Sequence, residues 1–242
     1  MEQKPLTAAD QSYYDRDYFE TGSKKIKDPV TGKETVWGYC GTDWSGNFYI
    51  VNGLLTTFNG ELGSIVDLGA GQGSFTDYCI RAGLRGRGYD FSQWAVEHPH
   101  HNATGNLFQL DVTQGIPEPE DSFDLVFSSD MCEHIRKSKI EYVFKEFHRV
   151  TRKWVFLQFP IVEKPEDVFD FEKYEFVEDK DKHPLWAHFM IAGHLNMEQR
   201  PWWDDLFLKT GFKIRDDLVI QFRSNTPRDV LKNWFNIVIL EK

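Results

Sequence analysis

The chain has 242 residues, 40% of them hydrophobic and 27% charged, which is enough for one sizeable domain with a buried core. Its formal net charge is −10, and no stripe of Lys and Arg is present that could neutralise phosphates, so nucleic acid is disfavoured as a partner. No apolar run approaches the roughly 20 residues that span a bilayer, and the N-terminus lacks the apolar segment of a secretory signal. We therefore expect a cytoplasmic protein without a membrane partner. Three widely spaced cysteines, Cys40, Cys79 and Cys132, are typical of free thiols in a reducing compartment.

The first 60 residues are polar and aromatic without a long regular pattern. We interpret residues 1–60 as a cap segment in front of a single domain over residues 61–242. Residues 28–39 carry Pro and Gly turn signals and predict a loop or a small hairpin. Two interpretations remain open for the ring-rich part of this segment, a helix that closes over a ligand or a hydrophobic staple onto the domain. Its rings are Tyr13, Tyr14, Tyr18 and Phe19.

From residue 64 onward, short apolar segments alternate with helical patterns. The apolar segments predict five buried strands, at residues 64–69, 86–91, 106–112, 123–130 and 153–160. Ser74 predicts the N-cap of a helix that Gly83 ends, and Ser92 that of a short helix that stops before Pro99. Residues 133–150 predict a long amphipathic helix. Its apolar face consists of Ile140, Val143, Phe144 and Phe147.

The alternation of strand and helix patterns stops after residue 160. Residues 161–199 form an insertion, and its acidic and lysine-rich part, residues 163–182, is too polar for a core element. Pro201 predicts the start of a helix with Asp204 and Asp205 in its first turn and Gly211 at its end.

Two closing strands are predicted within residues 212–222 and 234–242. Together with the earlier alternation they predict an α/β fold, a doubly wound, seven-stranded, mostly parallel sheet. It would carry an N-terminal extension and an insertion after the fifth strand, and ligands bind such sheets at the carboxyl ends of the strands.

The most informative segment is a glycine-rich loop directly after the first predicted strand. Gly69, Gly71 and Gly73 allow a sharp turn and a close approach to a ligand, and the N-terminus of a helix follows. A dinucleotide fingerprint requires Gly or Ala at position 74, where this chain has Ser74. Asp67, two residues before the first glycine, would repel a pyrophosphate and attract a cationic amine or sulfonium. Both features argue against a nicotinamide-dependent oxidoreductase.

This loop resembles the first motif of the class I S-adenosylmethionine-dependent methyltransferase family, and the resemblance covers residues 64–160. The later segments GYDFS, LDVTQGIP and FDLVFSSDMCEHI resemble the family's next three motifs in order. The resemblance implies S-adenosyl-L-methionine as the cofactor, with Asp90 on the ribose hydroxyls and Asp111 and the Val112 backbone on the adenine. The full set of cofactor-binding residues that it implies is Asp67, Gly69, Gly71, Gly73, Asp90, Phe91, Asp111, Val112 and Ser129.

The fourth motif also supplies the candidates for acid–base chemistry. Asp130, Glu133 and His134 lie beside the methyl-transfer cleft that the resemblance implies, and His134 is our first choice as a base because a neutral imidazole is competent near pH 7. His194 is the second candidate, in a segment that resembles the part of sugar-modifying methyltransferases that folds over the acceptor. His188 shares that segment. A divalent-metal site that includes a histidine and acidic residues remains an alternative, but we assign no metal ligand.

The acceptor is the least determined feature. The chain lacks the Asn-Pro-Pro-Tyr or Asp-Pro-Pro-Tyr run that family members use on base or glutamine amides, and it lacks the Pro-Cys pair of cytosine-C5 enzymes. We expect transfer to oxygen or nitrogen of a small polar metabolite, such as a sugar or a natural-product intermediate, with residues 161–199 as the acceptor lid. The alternatives are a protein or RNA acceptor and a non-catalytic, methyltransferase-like binding subunit. The oligomeric state stays open.

Overall fold

The computed structural model of the chain describes residues 11–21, 24–27, 32–37, 46–178, 183–232, 234 and 236–242. Two antiparallel strands, β1 (Lys24–Lys27) and β2 (Glu34–Trp37), confirm a hairpin around the predicted turn, although residues 28–31 and 38–39 lie outside the described residues. Helix α1 (Gly46–Thr57) then leads into the central sheet.

The central sheet has seven strands. In chain order they are β3 (Ser64–Leu68), β4 (Arg85–Asp90), β5 (Leu107–Gln109), β6 (Phe123–Ser129), β7 (Thr151–Gln158), β10 (Lys213–Ile214) and β11 (Ile237–Glu241). Their order across the sheet is β10-β11-β7-β6-β3-β4-β5. Strands β3 to β7 pair in parallel, and β11 runs antiparallel to both of its neighbours. The predicted seven-stranded, mostly parallel sheet is confirmed.

Helices cover both faces of this sheet, as expected for strands that are apolar on both sides. The helices that follow α1 are α2 (Ser74–Arg81), α3 (Gln93–Glu97), α4 (Lys137–Val150), α5 (Phe171–Tyr174), α6 (Trp186–Ala192), α7 (Arg200–Lys209) and α8 (Asp216–Asn225), of which α5 and α6 belong to the insertion. Neighbouring residues of β3 belong to opposite layers, since Val66 packs with Phe144 of α4 and Ile65 packs with Phe222 of α8. The doubly wound core thus follows from the period-two alternation of strand side chains.

The first of the two closing strands, predicted within residues 212–222, is much shorter than predicted. Only Lys213 and Ile214 pair in the sheet, and residues 216–225 form helix α8 instead. Asp216 and Asp217 lie in the first turn of that helix, where negative charge is favourable, and Leu218 and Phe222 are buried one turn apart. A run of Val, Ile and Phe indicated a strand, but burial at spacing four is the helical pattern.

Several helix ends also differ from the prediction. The cap of α2 is Gly73, in the left-handed conformation, and Ser74 is the first helical residue rather than the cap. Helix α4 begins at Lys137, because residues 132–134 form a separate 3-10 turn. Asp204 and Asp205 lie beyond the first turn of α7. The Ser92 cap is confirmed, since its side chain accepts a hydrogen bond from the Ala95 amide.

Residues 161–199 contain a small core of their own, which the sequence analysis did not anticipate. Phe169 and Phe171 are buried, together with rings of α6, although they lie in the acidic segment. Phe169 belongs to β8 (Phe169–Asp170), which pairs antiparallel with β9 (Asn196–Met197). The charged residues of this segment flank an apolar minority that packs inward.

Two of the three cysteines can be located. Cys79 and Cys132 are free and buried, as expected for packing thiols, and Cys40 lies outside the described residues. In the described part of the chain, no helix combines the length and the apolar character needed to cross a membrane.

Gly53 tests the packing of α1 against α8. A Cβ added at this position would overlap Thr226 Oγ1 and come within 3.0 Å of the Phe222 ring. We expect Gly53→Ala to destabilise the protein by about 1–3 kcal/mol through overpacking, although alanine is the better helix former. Chemical denaturation measures this change. Gly63→Ala is the matched control, because its Cβ would lie at an ordinary 3.5 Å from Asp124; equal stability of the two variants would contradict the packing argument.

Candidate functional site

The glycine-rich loop turns between β3 and α2 with three residues in the left-handed region. Gly69, Gly71 and Gly73 have φ values of 82°, 55° and 77°. A Cβ at Gly69 would lie 2.8 Å from that of Met131, and one at Gly73 would lie 2.8 Å from that of Ala103. A Cβ at Gly71 would meet nothing closer than 3.4 Å. Gly69 and Gly73 therefore serve close packing, whereas a Cβ at Gly71 would make only an ordinary contact with the Phe19 ring.

Two carboxylates stand at the ends of the neighbouring strands β3 and β4. Asp90 accepts the Gly71 amide at 2.7 Å and the Ser92 amide at 2.8 Å, so it holds the glycine loop against β4. Asp67 is buried and accepts a hydrogen bond from the Thr76 hydroxyl at 3.1 Å. Burial raises the pKa of Asp67 to about 7 and that of Asp90 to about 6, with hydrogen bonds opposing each shift. Both carboxyls are thus poised to gain from a nearby cation or hydrogen-bond donor.

The next strand ends continue this edge. After β5, the Asp111 carboxylate caps a short turn by accepting the Thr113 amide at 2.9 Å and the Thr113 hydroxyl at 2.7 Å. At the end of β6, the Ser129 hydroxyl lies 2.9 Å from the Gln158 side chain at the end of β7. These strand ends meet because parallel strands share one carboxyl edge.

Asp130 follows β6 with φ of 51°, a left-handed conformation that is unusual for a residue with a side chain. Its amide donates to the Gln158 carbonyl at 2.7 Å. The side chain is exposed on the pocket wall, yet the surrounding protein excludes enough water to raise its pKa to about 6. Hydrogen bonds from Ser129 and from the Gln158 amide, oriented with its nitrogen toward Asp130, oppose that shift.

One pocket of about 990 Å³ joins these features, which is at the upper end of the roughly 300–1,000 Å³ that is typical of small-molecule sites. The N-terminal segment forms one wall through Tyr14, Tyr18 and Phe19. It is held by Gln11, whose side-chain amide donates to the Phe91 carbonyl at 2.8 Å, and by stacking of Phe19 on Trp94. The insertion and the segment before β11 form further walls.

On the insertion side, Glu133, His134 and His194 lie together. One ligand atom from each of them lies within 4.8 Å of the others. His134 Nδ1 is 2.9 Å from the Gly193 carbonyl oxygen, which makes Nδ1 the protonated nitrogen and leaves the Nε2 lone pair free. Burial lowers the pKa of His134 to about 4 and that of His194 to about 3, and it raises the pKa of Glu133 well above its ordinary value.

The structure brings nearly all of the predicted site residues into this pocket. Its lining includes Asp67, Gly69, Gly71, Asp90, Phe91, Asp111, Val112, Ser129, Asp130, His134 and His194. Gly73 is not among the lining residues, and His188 is exposed on α6 outside the pocket.

Sequence reasoning missed other parts of the lining. Gln158 ends a predicted strand at the ligand-binding edge, so the strand pattern alone could have identified it. Trp234 and Asn236 carried no such signal, because only the tertiary fold returns that segment to the pocket.

Comparisons with known proteins agree with this geometry. Residues 65–153 match a family model described as a methyltransferase domain. The fold is shared with an S-adenosylmethionine-dependent methyltransferase from Mesorhizobium loti, at 18% identity and a TM-score of 0.50 over 75% of this chain and 93% of that one. A second such enzyme, from Archaeoglobus fulgidus, has 12% identity and a TM-score of 0.50 over 81% and 94%. The cyclase SpnF has 13% identity and a TM-score of 0.51 over 81% and 80%. No curated protein matches the sequence.

Asp67 tests the electrostatics of the pocket without any ligand. Its carboxyl has a pKa of about 4 in an unfolded chain and about 7 in the folded protein. Its contribution to stability is therefore present below pH 4 and lost as pH rises through about 7. Asp67→Asn removes the ionisation at constant size, so the variant should melt at a higher temperature than the wild type at pH 8, with a smaller advantage at pH 5.

The matched control is Asp124→Asn. Asp124 lies in β6 and accepts hydrogen bonds from Ser64 and Arg152, which hold its pKa below the ordinary value. Its contribution is present at both pH values, so this variant should melt lower at both. A melting difference for Asp67→Asn that is the same at pH 5 and pH 8 would contradict the assigned pKa shift.

Proposed function

Because residues 65–153 match a methyltransferase domain and the fold is that of S-adenosylmethionine-dependent methyltransferases, we propose that this chain is a class I enzyme of that kind, which transfers the methyl group to a hydroxyl or amine of a small polar molecule. The observation that carries this proposal is the single pocket that runs from the glycine loop to Glu133, His134 and His194. It has room for an acceptor beside the cofactor, and segments outside the core sheet enclose it. Walls from the N-terminal segment and from the insertion favour a small acceptor over a macromolecular surface.

The residues at the carboxyl ends of β3, β4 and β5 are suited to bind S-adenosylmethionine. Gly71 lines the pocket beside the Phe19 ring and has no side chain of its own, so a cofactor can approach its backbone. Asp90 retains free lone pairs after accepting two amides, so it can also accept the ribose hydroxyls. Asp67 offers its negative charge to the cationic end of the cofactor, and Asp111 with the Val112 backbone lies where the adenine is expected. When bound, the cofactor supplies a methyl group already activated on a sulfonium.

Transfer to a hydroxyl forms an oxygen–carbon bond while the carbon–sulfur bond breaks, and the electron pair of that bond passes to sulfur. The hydroxyl proton must leave. We assign its acceptance to Asp130, because the carboxylate is exposed in the pocket and its pKa of about 6 suits a base near neutral pH. His134, our first choice from sequence, is a much weaker base at a pKa of about 4. His134 and His194 are better suited to contact the acceptor than to accept its proton.

The direct test is a transfer screen with tritiated S-adenosylmethionine. Separate arms contain pools of sugars and other polar metabolites, bulk RNA, DNA and unfolded or folded proteins. We expect label in the metabolite arm. Label only in an RNA, DNA or protein arm would overturn the small-acceptor proposal, and the net charge of −10 makes the nucleic-acid outcome the least expected.

Substitution of Asp90 tests the proposed cofactor binding. Asp90→Asn keeps the size of the side chain but removes the charge and places an amide beside the Gly71 and Ser92 donors. We expect the affinity for S-adenosylhomocysteine to fall by roughly 10- to 100-fold, in line with the 1.5–3 kcal/mol of charged hydrogen bonds. Calorimetry at pH 8 measures the change. Asp124→Asn, at the opposite end of the sheet, should bind as the wild type does; an unchanged affinity for Asp90→Asn would refute the ribose assignment.

Substitution of Asp130 tests the proposed proton transfer. We expect Asp130→Asn to lower kcat by about 10²- to 10⁴-fold with little change in S-adenosylhomocysteine affinity, since a general base contributes that much. The matched control is Asp121→Asn, because Asp121 also has a left-handed backbone, with φ of 54°, and lies at the surface. Turnover of the acceptor found in the screen is the measurement, and equal kcat values for the two variants would exclude Asp130 as the base.

A further inference from the structure

The acceptor side of the pocket carries three side chains whose chemistry is that of a metal site. Glu133 lies in the 3-10 turn after β6, together with His134, and His194 follows α6 in the insertion. Their ligand atoms lie within 4.8 Å of one another. Metal bonds of about 2.0–2.2 Å place ligands up to roughly 4.4 Å apart, so small side-chain movements would close this set around one ion.

Two of these ligand groups have unsatisfied atoms. In the part of the chain that the structure describes, Glu133 Oε2 and His194 Nδ1 are buried without a hydrogen-bond partner. The Glu133 carboxylate is only 2% exposed, and its Oε1 lies 3.8 Å from His134 Nε2. A buried carboxylate oxygen without a donor is costly, and a bound cation removes that cost.

The surrounding hydrogen bonds orient the ligands. The Gly193 carbonyl accepts the His134 Nδ1 proton and so directs the Nε2 lone pair toward Glu133. This is the contact that metal-bound histidines usually make through their second nitrogen. The Leu195 amide donates to the Glu133 carbonyl at 2.7 Å and ties the segment that carries His194 to the turn that carries the other two residues.

We propose that Glu133, His134 and His194 bind a divalent transition-metal ion on the acceptor side of the pocket. Two imidazoles and one carboxylate favour ions such as Co²⁺, Mn²⁺, Fe²⁺ or Zn²⁺ over Ca²⁺ and Mg²⁺, which prefer oxygen ligands. Three protein ligands leave coordination positions open toward the pocket. The sequence left open a divalent-metal site of a histidine with acidic residues, and in the site proposed here Glu133 supplies the carboxylate.

The proposed ion narrows the acceptor class, and this step rests on the proposed function. An open coordination position suits an acceptor oxygen, because a bound metal lowers the pKa of a hydroxyl that it coordinates. The hydroxyl proton passes to Asp130, the oxygen forms its bond to the methyl carbon, and the electron pair of the broken bond remains on sulfur. The acceptor is then an alcohol rather than an amine.

Cobalt binding by the full chain tests the site without any acceptor. Tag-free protein is dialysed against EDTA, freed of the chelator and titrated with Co²⁺, followed by visible absorption and by equilibrium dialysis. We expect one bound equivalent. Glu133→Gln and His194→Ala should each weaken binding at least tenfold. His188→Ala is the matched control, because His188 lies in the same segment but is exposed outside the pocket, and it should bind Co²⁺ as the wild type does.

Affinity for S-adenosylhomocysteine reports whether each variant is folded. Glu133→Gln keeps the volume of the side chain and removes a buried ionisable carboxyl, so it should fold even if His194→Ala does not. Absence of saturable Co²⁺ binding, or wild-type binding by Glu133→Gln, overturns the metal site. Because no acceptor is present, a failed methyl-transfer screen leaves this result intact. Transfer to an alcohol at an equal rate after EDTA treatment and after Co²⁺ addition would overturn the role of the metal in activation.

Discussion

The hydrogen bond from the Gly71 amide to the Asp90 carboxylate is the contact on which the pocket depends. It joins the loop after β3, which carries the left-handed glycines, to the end of β4 at 2.7 Å. Asp90 can act in this way because parallel strands end at the same edge of the sheet. The same register places Ser129 opposite Gln158 at the ends of β6 and β7. The pocket therefore forms where the parallel strands β3 to β7 bring their carboxyl ends to one edge of the sheet.

The pocket contains several ionisable side chains at positions where burial makes the charged form costly in free energy. Asp67, Asp90 and Glu133 are carboxyls whose pKa values burial raises, and the two pocket histidines have lowered values for the same reason. Such groups destabilise the protein without a ligand. They are stabilised by ligands that bring an opposite charge or hydrogen-bond donors. The arrangement divides the pocket into two ends, with Asp67 and Asp90 at the end for which we propose the cofactor. Glu133 and the histidines lie at the other end, for which we propose the acceptor and which we call the acceptor end.

The walls of the acceptor end come from outside the core sheet. Tyr14 and Tyr18 belong to the N-terminal segment, and His194 belongs to the insertion. The Leu195 amide connects the insertion to Glu133, in the turn that follows β6. The shared fold of methyltransferases and the cyclase SpnF shows that such a sheet hosts more than one reaction. The acceptor walls, rather than the sheet, should then decide what this chain modifies.

Sequence alone determined the features that local chemistry dictates. The glycine loop, the carboxylates at strand ends and the mostly parallel sheet follow from spacing, strand pattern and turn residues, and the structure confirms the fold and the gathering of these residues. Residues 216–222 were misassigned because Val, Ile and Phe favour strands, whereas burial of Leu218 and Phe222 against the adjoining layer selected a helix. Phe169 and Phe171 were overlooked because the charges around them concealed an apolar pair.

Only the tertiary structure decided that Glu133, His134 and His194 meet. His194 is separated from the other two along the chain by α4, β7 and most of the insertion, and no local pattern encodes a contact over that separation. Packing of the insertion core and the Leu195 hydrogen bond bring it back to the pocket. Local sequence specifies backbone conformation and burial, but the approach of distant side chains depends on the summed packing of the elements between them.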